Sequence, residues 1–189
     1  FEEHVSVQEN AVVVGSKVGA YTYIGRYSVV WMADIGRYCS IGPEVRIGLG
    51  THPMRGYVST YPGFYSSNPS IPGRFTDDDS VLEHQNVTIG SDVWTGARAM
   101  LMDGVTIGHG AVIGAGAVVT KSIGDYCVAV GVPARVVRMR FDPATVAQLL
   151  AFAWWDRGPE FCHMYANSFR KPEQFLGMAQ AGCNPDGVT

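Results

Sequence analysis

Five histidines supply most of the side chains that titrate near neutral pH: His4, His52, His84, His109 and His163. His52 stands apart. It sits in Gly50-Thr51-His52-Pro53-Met54, four residues beyond Gly48, where a regular pattern stops and an irregular segment begins. A histidine there can be held by a rigid scaffold and still reach a groove, and an imidazole of ordinary pKa ~6.5 suits a general base. The competing reading, a lone surface histidine on a loop, stays open on residue chemistry alone. His109 occupies a turn slot expected to face solvent. His84 lies near the return of the irregular segment, as a partner or as plain surface, and His4 and His163 have no chemical context. No Ser-His-Asp or Cys-His motif is present, so a covalent nucleophile is not expected. Neither a P-loop nor a GxGxxG after a strand occurs. Thr120, Lys121, Arg135 and Arg138 gather where the regular pattern ends, and basic groups there suit the phosphates of a ligand or are ordinary surface charge.

The elements that must position these residues are announced by a repeat. From Ile89 to Val119 the chain reads in hexads, with aliphatic residues at 89, 101, 107, 113 and 119 and Thr95 as the exception. Glycine follows at 90, 96, 108 and 114, and Val93, Ala99, Val105, Ala111 and Ala117 stand four residues after each slot. A period of six fits neither a helix nor a free alternating strand. In extended chain, residues two apart share a face, so the small residue and the next aliphatic both point inward. The glycines are expected to permit the change of direction between strands. Three strands then make a triangular coil of eighteen residues, stacked ~4.8 Å from the next. The pattern reads as a parallel β-helix. It also runs through Val12, Val18, Ile24 and Val30, with Ser16, Thr22 and Ser28 in the small slots, then slips by one residue to Ile35, Ile41 and Ile47. A slip of that kind is best absorbed at a corner.

Between these two runs lies a proline-rich stretch with aromatics at 57, 61, 64, 65 and 75. An aperiodic segment that long inside a domain is usually functional, and its aromatic content argues against disorder. It reads as an arm that packs on something, expected to be a neighbouring subunit. After the second run ends near Val130, Gly131–Phe141 closes the coil. Asp142-Pro143 opens a helix expected to run to Gly158-Pro159. Residues 160–169 and 172–181 are candidates for further short helices, and 183–189 reads as a tail. The expected division is a β-helix over 1–141 with the insertion at 48–88, and a helical extension over 142–189.

With 189 residues, 47% apolar and 16% charged, the chain can bury a sizeable core. A net charge of -3 gives no electrostatic case for nucleic acid. No apolar run approaches ~18 residues, so no membrane partner is expected. Cys39, Cys127, Cys162 and Cys183 lack metal-ligand spacing and read as free thiols of a reducing cytoplasm. No signal peptide is visible, and a chain that opens on Phe1 rather than Met is compatible with an absent N-terminal piece.

Taken in order, IGRYCSIGPEVRIGLGTHPM, DVWTGARAMLMDGVTIGHGAVIGAGAVVTKSIGDY, GVPARVVRMRF and AWWD resemble the hexapeptide acyltransferases of the xenobiotic (antibiotic and saccharide) acetyltransferase family. The resemblance covers about residues 12–176. It implies a left-handed β-helix, a homotrimer, and active sites in grooves between adjacent prisms. It implies acetyl-CoA as co-substrate with no metal, and His52 as the base. By the matching motifs it puts Trp94 and Ala97 beside the pantetheine arm and brings in Ala115 through its backbone. Thr120, Lys121, Arg135 and Arg138 fall near the nucleotide and phosphates. Three departures bear on the acceptor. GLGTHPM with STYPGFY looks more like members found with surface-polysaccharide enzymes, WWDRG stands where WWDW is common, and Thr95 replaces the usual isoleucine. The expected acceptor is therefore a saccharide hydroxyl or amine, with a streptogramin or chloramphenicol O-acetyltransferase as the alternative. A zinc enzyme on the same prism would need three histidines meeting at an interface, for which the spacing is wrong. A non-catalytic trimeric scaffold is the remaining alternative.

Overall fold

A computed structural model describes residues 1–180 other than 69, 78 and 80, and of 178–180 only the backbone. Cys183 and the 183–189 tail lie outside the described residues. Very short strands wind the chain into a prism. They are β1 (Ser6–Val7), β2 (Val12–Val14), β3 (Lys17–Val18), β4 (Tyr23–Ile24), β5 (Val29–Trp31), β6 (Ala33–Ile35), β7 (Ser40–Ile41) and β8 (Arg46–Ile47). After the insertion come β9 (Val87–Ile89), β10 (Trp94–Thr95), β11 (Met100–Leu101), β12 (Thr106–Ile107), β13 (Val112–Ile113), β14 (Val118–Val119), β15 (Cys127–Val130) and β16 (Arg135–Met139). They form three faces: β1-β4-β7-β10-β13-β15-β16, β2-β5-β8-β11-β14 and β3-β6-β9-β12. All pairings are parallel except the last, where β16 runs back along β15. This is the parallel β-helix the hexads predict.

The inward residues stack in columns. Val30, Ile47, Leu101 and Val119 make one, and Ile24, Ile41, Thr95 and Ile113 another, all fully buried. The small slots do more than fill space. Thr22 Oγ1 donates to the Gly36 carbonyl (2.9 Å) and accepts from Cys39 N–H (3.0 Å), and Ser28 Oγ repeats this with Gly42 and Val45. Each such bond contributes about 1 kcal/mol net.

The coil length is not uniform. Below the insertion, Tyr23 pairs Ser40 and Val29 pairs Arg46, a step of seventeen residues. Above it, Trp94 pairs Val112 and Met100 pairs Val118, a step of eighteen. The slip at Val30 therefore belongs to every lower coil, at the corner between the second and third faces. It is turned by Met32 (φ 47°) in one coil and by Gly15 (φ 58°) in the one below. The slot given to Val12 belongs to Val13, which pairs Val30 and packs on the core while Val12 stays exposed.

The glycines also play a different part from the one expected. Gly25, Gly42 and Gly96 have no positive φ; the turning residues come two later, at Tyr27, Glu44 and Arg98 (φ 59–61°). Those glycines are needed because the coils touch there: a Cβ on Gly96 would lie 2.5 Å from Ala115 N.

Beyond the coil, α1 (Pro143–Phe152) is capped by Asp142, whose carboxylate accepts from Ala144 and Thr145 N–H at 3.0 Å each. It ends earlier than expected, at Ala153 in a left-handed conformation. Gly158-Pro159 then opens α2 (Gly158–Tyr165), where proline suits the first turn, and α3 (Pro172–Gln180) follows. Val146, Leu149, Phe175 and Leu176 bury their side chains with Tyr126. No described helix is long and apolar enough to cross a membrane.

Candidate active site

His52 stands just beyond a closed neck. The insertion leaves at Gly48 and returns at Val87, at the same corner that the lower coils turn with one residue fewer. Thr51 N–H donates to the Glu83 carbonyl at 2.8 Å, pairing the outgoing and returning chains. Asp103, on the coil above, closes the neck with both carboxylate oxygens, accepting from Gly50 N–H (2.7 Å) and Gln85 N–H (3.1 Å). His84 belongs to this neck. Its Nδ1 lies 3.8 Å from Asp103 Oδ1, and its ring lies 5.8 Å from that of Trp31.

The His52 ring is exposed, but its Nδ1 is held from behind. Nδ1 lies 2.9 Å from the Thr60 carbonyl oxygen and 2.6 Å from Tyr65 Oη, and Tyr65 Oη lies 3.2 Å from the same carbonyl. A carbonyl only accepts, so the Nδ1 contact requires the proton on Nδ1. Nε2 is then the bare nitrogen, able to take a proton from a hydroxyl. Tyr65 is fully buried, and burial pushes its phenol up, so it stays protonated. A 3-10 turn, Pro62–Phe64, fixes it through Tyr65 N–H to the Pro62 carbonyl (2.9 Å). Around the turn Phe64 stacks on Phe75 at 5.0 Å, with Tyr61 edge-on to Phe64.

Other expected residues spread over the prism. Trp94 is exposed on the first face. Ala97 and Ala115 sit one coil apart at the corner between the first and second faces, where the Ala97 carbonyl accepts from Gly116 N–H (2.9 Å). Arg135 and Arg138 lie on β16 at the end of the first face, both exposed. Thr120 and Lys121 are exposed just after β14, which ends the second face. The four basic-end residues thus share one end of the coil but occupy two faces.

His109 is not the solvent-facing turn residue expected. Its ring stacks on Trp155 at 4.7 Å and 5°, and its Nδ1 accepts from Ser91 N–H at 2.9 Å, which ties the coil to the helical segment. His4 begins a stack with Tyr21 and Tyr38, at 4.8 and 4.9 Å. Cys39, Cys127 and Cys162 are free thiols. Burial holds the Cys39 thiol up at about 12. Among the described residues no group of three or more His, Cys, Asp or Glu could hold a metal ion. A cavity of about 120 Å³ between coil and helices is lined by Tyr126, Trp154, Phe175 and the Arg140–Asp92 ion pair (3.0 Å) and contains none of the expected site residues.

Thr60, Tyr65 and Asp103 are the residues of the candidate site that sequence reasoning misses. Their partners are backbone groups or a ring brought close only by the fold; the one signal was the aromatic density of the insertion.

A hexad-built prism with an insertion carrying one well-held histidine defines a class, and comparison with known proteins agrees. The bacterial transferase hexapeptide (six repeats) family matches residues 86–121. A chloramphenicol acetyltransferase of Agrobacterium fabrum is 40% identical over 123 residues, 64% of this chain and 58% of that one. A probable macrolide acetyltransferase of Lysinibacillus sphaericus is 34% identical over 130 residues, 65% of this chain and 68% of that one. The structure of a maltose O-acetyltransferase from Clostridium difficile 630 superposes with a TM-score of 0.56 at 26% identity, covering 74% of this chain and 68% of that one. The chain belongs to the hexapeptide-repeat acetyltransferases of the xenobiotic acetyltransferase family. It spans 58% of the length of the chloramphenicol relative it matches.

Proposed function

We propose that the chain is an acetyl-CoA-dependent O-acetyltransferase with His52 as general base and a saccharide hydroxyl as acceptor. The observation that carries the reading is Nδ1 of His52 on the Thr60 carbonyl at 2.9 Å, which leaves Nε2 as a proton acceptor at the mouth of a braced loop. Nε2 takes the proton of the acceptor hydroxyl as its oxygen attacks the thioester carbonyl carbon. The tetrahedral intermediate collapses by breaking the C–S bond, and the imidazolium returns the proton to the thiolate of CoA. The base contributes ~10²–10⁴-fold, and positioning supplies much of the rest.

CoA would lie along the prism past Trp94, Ala97 and Ala115, with Thr120, Lys121, Arg135 and Arg138 toward its phosphates. Such a groove needs a second wall, and a homotrimer would supply it. The outward residues support this. The first face carries Tyr23, Trp94 and Val112 and the second Val12, Val14, Trp31 and Met100, whereas the third carries Lys17, Asp34, Thr88 and Thr106. Ser6, Ser40, Arg135 and Arg138 interrupt the first face and Arg46 the second, yet the exposed aromatic and aliphatic side chains of the strands fall on these two faces and none on the third, which suits a subunit that buries two.

A second acceptor reading, an antibiotic hydroxyl, is favoured by the 40% identity to a chloramphenicol acetyltransferase. Thiol release from acetyl-CoA against nucleotide sugars, free saccharides, chloramphenicol and a streptogramin decides between them, with His52→Ala as control. Turnover on a sugar that the variant loses supports the first reading. Turnover on an antibiotic alone moves the chain to the second, and a His52→Ala variant of normal activity rejects the base.

A further inference from the structure

The histidine that the mechanism needs is exposed, and among the described residues no carboxylate lies within ion-pair distance of it. An exposed imidazole with one neutral partner has little to fix its orientation, because a single bond to a backbone carbonyl leaves the ring free to rock about its own axis. Here a second group is present. Tyr65 Oη, Thr60 O and His52 Nδ1 form a triangle with sides of 2.6, 2.9 and 3.2 Å, which must share two protons, one on the phenol and one on the imidazole.

Only one arrangement satisfies all three sides. The phenol donates to the Thr60 carbonyl, which turns an oxygen lone pair toward the ring, and Nδ1–H is shared between that lone pair and the carbonyl. In the other arrangement the phenol donates to a bare Nδ1, the imidazole proton moves to Nε2, and the Thr60 carbonyl faces a nitrogen lone pair at 2.9 Å. That state is electrostatically repulsive and also leaves Nε2 unable to accept a proton.

We propose that Tyr65 is a positioning residue for the base: its hydroxyl, anchored on the Thr60 carbonyl, accepts from His52 Nδ1–H and holds the ring in the orientation and tautomer that leave Nε2 bare. The same oxygen strengthens its bond when Nε2 is protonated, so it also steadies the imidazolium that the reaction forms. Tyr65 can do this because it is itself immobile. Its side chain is fully buried, its N–H is fixed to the Pro62 carbonyl, and Tyr57 lies edge-on to its ring at 5.7 Å. The inference rests on the reading of His52 as the base.

The test uses Tyr65→Phe, which keeps the buried ring and the turn and removes only the hydroxyl. Two-bond proton–nitrogen NMR on ¹⁵N-histidine-labelled protein reads the tautomer, at a pH about two units above the ordinary imidazole value of ~6.5. The wild type should show Nδ1 protonated. In the variant the Thr60 carbonyl alone holds the ring, and rocking of the imidazole off that single bond should appear as a measurable population of the Nε2–H tautomer. With acetyl-CoA and the best acceptor of the panel, kcat should fall about tenfold, with both KM values within about twofold. Tyr57→Phe, which removes a neighbouring hydroxyl not bonded to His52, should leave both readouts at wild type. An unchanged tautomer in Tyr65→Phe, a wild-type ring protonated on Nε2, or an equal effect from Tyr57→Phe would each overturn the proposal. Turnover that survives His52→Ala would instead remove the base itself, and the NMR arm would still report whether Tyr65 holds the ring.

Discussion

Residues 87–119 and residues 48–86 adjoin in sequence and are held by opposite means. The coil is secured by its own backbone, each strand bonding to the one a coil above, and by columns of aliphatic side chains, with Ser91 and Thr95 the buried polar side chains among its described residues. The insertion has no strand between Gly48 and Asn86 among the described residues. It is secured by side chains that reach backbone groups, such as Asp103 at the neck, Ser66 on Asn68 N–H and Tyr65 on the Thr60 carbonyl. Where order comes from repetition, a substitution registers in stability. Where it comes from single contacts, a substitution registers in function while the fold stands.

The largest test of that contrast lies on the coil side. Gly96→Val places a side chain against Ala115 N and should cost more than about 3 kcal/mol, with loss of folded protein on thermal unfolding. A melting temperature near wild type would mean the coils have slack the geometry denies. On the loop side, His52→Ala should cut turnover by ~10²–10⁴-fold with the thermal transition unmoved.

Asp103→Ala crosses the boundary, since a coil residue there serves the loop. Two backbone N–H groups lose their acceptor, at about 1–3 kcal/mol each if they stay buried. Limited proteolysis should cut within 50–85 and spare the coil, with turnover down by about tenfold or more. Cleavage in the coil first would reverse the assignment. Lys121→Ala should weaken CoA binding about three- to tenfold by calorimetry and leave the acceptor KM alone. An unchanged CoA affinity rejects the phosphate role.

The smallest effect is a gain. Among the described residues Thr95 Oγ1 is buried with no hydrogen-bond partner, between Ile41 and Ile113 in its column. Thr95→Val should stabilise by about 1 kcal/mol, seen as a rise in melting temperature of a few degrees. A fall would mean that the hydroxyl has a role the column does not reveal.

The same contrast decides what could be read from the sequence. The hexads state the coil outright, because inward slots recur at fixed spacing and only small or aliphatic residues fit a narrow prism. The register failed at Val12–Val14, where three valines in a row give periodicity nothing to choose by, and only pairing with Val30 selects Val13. The start of α1 was legible in Asp142-Pro143, a local cap. Its end was not, because Gly158-Pro159 resembles a stop while also making a good first turn for α2. In the candidate site, the place of His52 was legible as the point where the pattern breaks. Its tautomer was not, because Thr60, eight residues on, carries no mark in its side chain: its carbonyl does the bonding.

The neck has one more consequence. Ile47 and Ile89 take their places in the stack whatever number of residues intervenes, since the ladder resumes at the same corner and Asp103 clasps the two ends. Closing a longer loop there costs only a logarithmic increment, about 0.6 kcal/mol for each doubling of length. The insertion is therefore an exchangeable cassette. Between the neck bonds of Gly50 and Gln85 its length and sequence can change, and with them whatever it recognises, while the strand pairings beneath keep their register.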